Sequence, residues 1–172
     1  LGITAQPTVS ATFPTVVVPE VKSWKDIKQL KNQLVSCMGY KVYLHKFENG
    51  DSASIPYEEL LKILQKYGEV VERGFGLEFI SQVGDIADSV SLTGNVDTGI
   101  NGITFDRPIS NAKFPDIIYE LLSLPNTCFF GPNLEFVHTR SEMNEHYPQG
   151  LIEHLQDGPK KIASPAEAWP HA

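Results

Sequence analysis

Two apolar stripes at helical spacing, Tyr57-Leu60-Leu61-Leu64-Tyr67 and Ile117-Ile118-Leu121-Leu122-Leu124, enclose three short β-type segments, Leu77–Ser81, Ser89–Thr93 and Gly102–Asp106. Strands that alternate strictly with helices build a doubly wound parallel sheet, whereas strands grouped between helices favour α+β. Further β-type runs stand at Tyr40–Phe47, Thr127–Phe130 and Leu134–Thr139, and both faces of the first are largely apolar, as in a strand covered on both sides. Glu58 and Glu59 in a first turn after Pro56, and Phe114-Pro115-Asp116 before the second stripe, supply helix starts; Gly68 and Pro125-Asn126 supply stops. Gln149–Gln156 reads as a short helix, and the tail after Asp157 as proline-rich and irregular. The expectation is an α+β domain: a mixed or antiparallel sheet of about five strands with two main helices packed on it.

At 172 residues the chain suits one domain of ordinary size, and 41% hydrophobic with 20% charged residues is too apolar for a disordered one. No run approaches the ~18 apolar residues of a membrane span, and with no charged-then-apolar segment at the start no signal peptide is expected. The two cysteines, Cys37 and Cys128, lie too far apart in sequence for a disulfide framework, which points to a reducing compartment and a cytoplasmic protein.

Charge is unevenly placed. Residues 1–37 carry Lys22, Lys25, Lys28 and Lys31 against Glu20 and Asp26, a net of +2, while residues 38–172 carry −9 of the total −7. An acidic domain argues against nucleic acid or an anionic membrane as partner. Residues 1–37 read as an extension: loosely ordered at first, a possible strand at Thr15–Val18, then a basic amphipathic helix over 23–36 with Trp24, Ile27, Leu30 and Leu34 on its apolar side. Residues 38–172 form the single α+β domain.

Candidates for chemistry are sparse. His138, Glu142, Glu145 and His146 lie close in sequence but lack the spacing of a helical His-Glu-x-x-His pair, so no metal is expected. Cys128, with His45 or His138 as base, would make a hydrolase or transferase; its setting in Thr127-Cys128-Phe129-Phe130 reads instead as a buried thiol. The glycines form neither a G-x-G-x-x-G nor a phosphate loop, and no G-x-S-x-G elbow occurs. The expectation is no catalytic residue and no cofactor. What remains is an acidic set, Glu72, Glu78, Asp85, Asp88, Asp97 and Asp106, with Phe75 as an aromatic anchor; Tyr57 and Tyr119 sit on helical stripes, where core packing is the plainer role.

The segments Met38-Gly39-Tyr40-Lys41-Val42-Tyr43-Leu44, Ile103-Thr104-Phe105-Asp106-Arg107-Pro108 and Cys128-Phe129-Phe130-Gly131-Pro132-Asn133-Leu134-Glu135 belong to a stretch whose size, charge and layout resemble the small acidic immunity proteins of bacterial polymorphic-toxin and contact-dependent inhibition systems. That resemblance implies a non-catalytic protein that binds a cognate, basic toxin, such as a nuclease, and blocks it. The basic segment 1–37 departs from that pattern and suits a second reading, an adaptor or secretion chaperone that grips a client through helix 23–36.

Overall fold

The computed structural model describes residues 40–74, 76–153, 155 and 157–169. The extension 1–37, with its candidate strand and basic helix, lies outside the described residues, as does Phe75. Among the described residues a nine-stranded, largely antiparallel sheet carries three short helices.

In chain order the strands are β1 (Lys41–Glu48), β2 (Asp51–Ala53), β3 (Gly68–Arg73), β4 (Gly76–Ser81), β5 (Ala87–Asn95), β6 (Gly99–Pro108), β7 (Thr127–Phe130), β8 (Val137–Thr139) and β9 (Lys160–Lys161). The helices are α1 (Tyr57–Leu64), α2 (Phe114–Leu121) and α3 (Gln149–Ile152), followed by one 3-10 turn at Pro165–Glu167. The spatial order is β3-β4-β5-β6-β1-β7-β8-β9, with β2 folded back on β1. Among the described strands only β8 and β9 run parallel. No described helix is long and apolar enough to cross a membrane.

Alternation along the strands sorts side chains onto two faces. The inner face takes Val42 and Leu44 from β1, Ile103 and Phe105 from β6, Val90 and Leu92 from β5, and Leu77 and Phe79 from β4; all are buried under α1 and α2. Leu60, Ile63 and Leu64 of α1 and Phe114, Ile117, Ile118 and Leu121 of α2 close that core. Acidic residues occupy both first turns, Glu58 and Glu59 in α1 and Asp116 in α2, where the helix dipole favours them. On the opposite face a smaller cluster of Phe47, Cys128, Val137, Met143, Tyr147 and Leu151 covers the β1-β7-β8 end. β1 is thus covered on both sides at that end, as its apolar sequence requires.

The expected five strands become nine. Gly68 does not merely stop α1 but opens β3, three residues after the helix's C-cap at Gln65. A Cβ there would collide with the Ile80 carbonyl, so the close approach of β3 to β4 needs glycine at that point. The tail beyond Asp157, expected to be irregular, contributes β9 and then buries Ile162, Ala168 and Trp169 in the main core.

Candidate functional site

β4, β5 and β6 run past the end of the smaller cluster, and their outer face stays uncovered by described residues. Register fixes what it displays. Glu78 stands opposite Ser91, Ser91 opposite Thr104 and Ser89 opposite Asp106, while Thr93 lies opposite Gly102. Ser89, Ser91 and Thr93 are exposed, and Glu78, Thr104 and Asp106 half-buried. Hydroxyls and carboxylates therefore tile one face of a rigid sheet whose other face is the core.

An aromatic ladder borders this face on β1 and β7. Tyr43 and Phe130 are direct cross-strand partners with ring centroids 5.6 Å apart, and His45 lies 5.6 Å from Phe130 and 6.0 Å from Phe47, nearly parallel to the latter. The His45 ring rests over Gly102 on β6: a Cβ there would sit 2.6 Å from its Nε2. Burial pushes the His45 imidazole below its ordinary value, so it is neutral at pH 7 and keeps one donor and one acceptor. Tyr43, His45 and Phe130 are each only half-buried and offer contact area at little cost in side-chain entropy.

The sequence-derived acidic set is divided by the fold. Glu78 and Asp106 lie on the uncovered face, but Glu78 pairs with Arg73 at 3.2 Å and Asp106 with Lys41 at 3.7 Å. Arg107 joins Asp88 at 2.7 Å and approaches Asp106 at 3.9 Å. Glu72, Asp85 and Asp97 make no ion pair among the described residues. Glu72 is on β3, while Asp85 and Asp97 lie beyond the two ends of β5, which are about 26 Å apart at about 3.3 Å per residue. The six do not form a single acidic patch.

Tyr119 and Tyr57 are structural. The Tyr119 hydroxyl donates to the Ala163 carbonyl at 2.9 Å and its ring lies 3.9 Å beneath the Arg140 guanidinium; Tyr57 packs against the main core. Outside the sequence-derived set, the half-buried rings that border the face are Tyr43, His45 and Phe130. The solvated face itself has a sequence signal, since Ser89-Val90-Ser91-Leu92-Thr93 alternates polar with apolar, but the rings on β1 and β7 do not share it.

Cys128 stands directly across from His45, yet it is sealed beneath the smaller cluster, and burial pushes its thiol up to about 12. A thiol so placed stays protonated at neutral pH and is no nucleophile. His138 points to the inner face. Its Nδ1 lies 3.2 Å from the Ala168 carbonyl, an acceptor only, so Nδ1 carries the proton and Nε2 is the acceptor. The ring borders a cleft of about 460 Å³ at the β8-β9 joint, together with Glu135, Asp157 and Lys160. Two of the three charged neighbours there are already engaged: Glu135 accepts from the Tyr40 hydroxyl at 2.6 Å and from the Asn133 amide at 3.0 Å, and Lys160 pairs with Glu167 at 3.4 Å. Glu142 and His146 serve elsewhere, the first on Lys161 and the second accepting from the Asn49 amide at 3.2 Å. No group of three metal-ligating side chains occurs among the described residues.

No protein-family model matches the chain, and neither does a curated protein or a solved structure.

Proposed function

We propose that this chain is a non-catalytic immunity-type protein that binds a basic, cognate toxin on the uncovered face of its sheet and holds it inactive. The observation that carries the reading is the hydroxyl and carboxylate tiling of β4, β5 and β6 beside the Tyr43-His45-Phe130 ladder. A face of this kind is polar enough to be stable in water and presents rigid aromatic anchors at its border, the arrangement in which a few buried contacts supply most of the affinity. Glu72, Asp85 and Asp97, which make no ion pair among the described residues, act in capture: long-range attraction speeds encounter with a positively charged partner, while holding depends on the anchors.

The test is co-purification with the product of the neighbouring gene, followed by growth rescue of cells that express that product. Tyr43→Ala with Phe130→Ala should weaken the complex at least about tenfold through faster dissociation, since aromatic anchors are typical hot spots. Glu72→Lys with Asp85→Lys and Asp97→Lys should instead slow association and leave dissociation nearly unchanged. A neighbour that is neither bound nor neutralised, or a complex indifferent to both sets, overturns the reading. Truncation of residues 1–37 separates it from the adaptor alternative, because a client held by helix 23–36 would be lost.

A further inference from the structure

Among the described residues β3 is the terminal strand of the sheet, paired on one side only, with β4. The phase of that pairing is set by the Gln82 amide donating to the Tyr67 carbonyl at 2.7 Å, which lies in the same register as Glu69↔Ile80, Val71↔Glu78 and Arg73↔Gly76. Hydrogen-bonded and non-bonded pairs alternate in an antiparallel ladder, so residues 69, 71 and 73 turn their peptide groups toward β4. Val70 and Glu72 turn theirs away from the sheet. No hydrogen bond from another described element reaches them.

We propose that β3 is the contact strand of a homodimer, in which two copies pair antiparallel about a two-fold axis at Val71 and join their sheets. Register alone selects this pairing, independently of toxin binding. Outward peptide groups must meet outward peptide groups, so residue 70 can face only 68, 70, 72 or 74 of the second copy. With Glu72 facing Glu72, two carboxylates collide at the axis; with Val70 facing Gly68, Glu69 faces Glu69. With Val70 facing Val70, no opposite charges meet. With Val70 facing Glu72, the ladder gains four main-chain hydrogen bonds, Val71 meets Val71, and Glu69 of each copy faces Arg73 of the other. Glu69 and Arg73 share the outer face with Val71, both are exposed, and the Arg73 side chain is 65% accessible despite its contact with Glu78. Opposite charges directly across a strand pair favour the pairing and like charges oppose it, so the edge is complementary to itself in one register. Charges on an edge strand ordinarily repel a second sheet. Here their order admits one partner, a second copy of the chain.

The test is sedimentation of the full chain over a concentration series, with circular dichroism as the check of folding. The wild type should pass from monomer to dimer. Glu69→Arg and Arg73→Glu should each weaken self-association about tenfold, because each places like charges across both symmetric positions. Mixed together the two variants should recover a heterodimer of wild-type strength, since every facing pair is again opposite. Glu72→Pro removes an outward amide without touching the β3-β4 ladder and should leave a folded monomer, which covers the case of Arg73→Glu failing to fold. A wild type that stays monomeric to millimolar concentration, a Glu72→Pro variant that still dimerises, or a mixture no more associated than its parts overturns the proposal.

Discussion

His138 and His45 hold imidazoles that burial keeps below the ordinary histidine value, and at His138 burial outweighs the opposing pull of the Ala168 carbonyl. A histidine whose folded-state value is lowered takes up protons in the unfolded chain first, so its contribution is complete above about pH 6.5 and is lost as pH falls toward the folded-state value. The carboxylates held low by partners, Glu48 by Lys46 and Glu167 by Ser164 and Lys160, act only in more acidic solution, which leaves the histidine window separable. His138→Asn retains an amide N–H in place of Nδ1–H for the Ala168 carbonyl and removes the titration. Thermal melts between pH 7 and pH 5 should show the wild-type midpoint falling with acid and the variant's falling less. Equal slopes would assign the effect elsewhere.

At the scale of elements, the segment after Asp157 shows where reading the chain succeeds and where it stops. Helical stripes around Leu60–Leu64 and Ile117–Leu121 were legible because 3.6-residue periodicity and acidic first turns are local signals. β5 and β6 were legible as short β-type segments, although both extend further than the ranges 89–93 and 102–106. β9 was not, because two exposed lysines become a strand only through pairing with β8, a partner that no local pattern announces. Trp169 was hidden in the same way among prolines and alanines. Its ring stands edge-on to Phe114 at 5.2 Å and lies 6.1 Å from Phe129 and 6.2 Å from Phe136, so a residue near the chain end plugs the aromatic centre of the core. In the acidic set, proximity in sequence from 72 to 106 does not become one patch: successive hairpins send the turns holding Asp85 and Asp97 to opposite ends of β5, while Asp88 and Asp106 meet at Arg107. Trp169→Ala should lower the unfolding free energy in urea by about 3–5 kcal/mol, the usual cost of emptying a large aromatic site. A loss below ~0.5 kcal/mol, typical of surface positions, would mean that the segment does not seal the core in solution.

Across the whole molecule, stability should grade from the sheet's edges to its centre, and the connectivity says why. β1, first of the described strands, is inserted between β6 and β7, where Leu44 meets Ile103 on one side and Phe129 on the other. Those contacts join distant parts of the sequence and exist only when the entire sheet is assembled, whereas β3 and β4 meet through a local hairpin. β1 also has apolar cover on both faces at its β7 side, while β3 lends only half-buried Val70 and Val71 to its surroundings. Local opening costs least where few apolar groups must be uncovered. Hydrogen exchange of the monomer at rising urea should therefore find β1, β6 and β7 amides exchanging only with global unfolding, and β3 amides opening well before it. Raising the protein concentration into the dimer range should then slow Val70 and Glu72 selectively, since those two amides become paired across the two-fold axis while the residues facing β4 keep the partners they already have. Uniform protection across β3 and β1 in the monomer would contradict the graded stability.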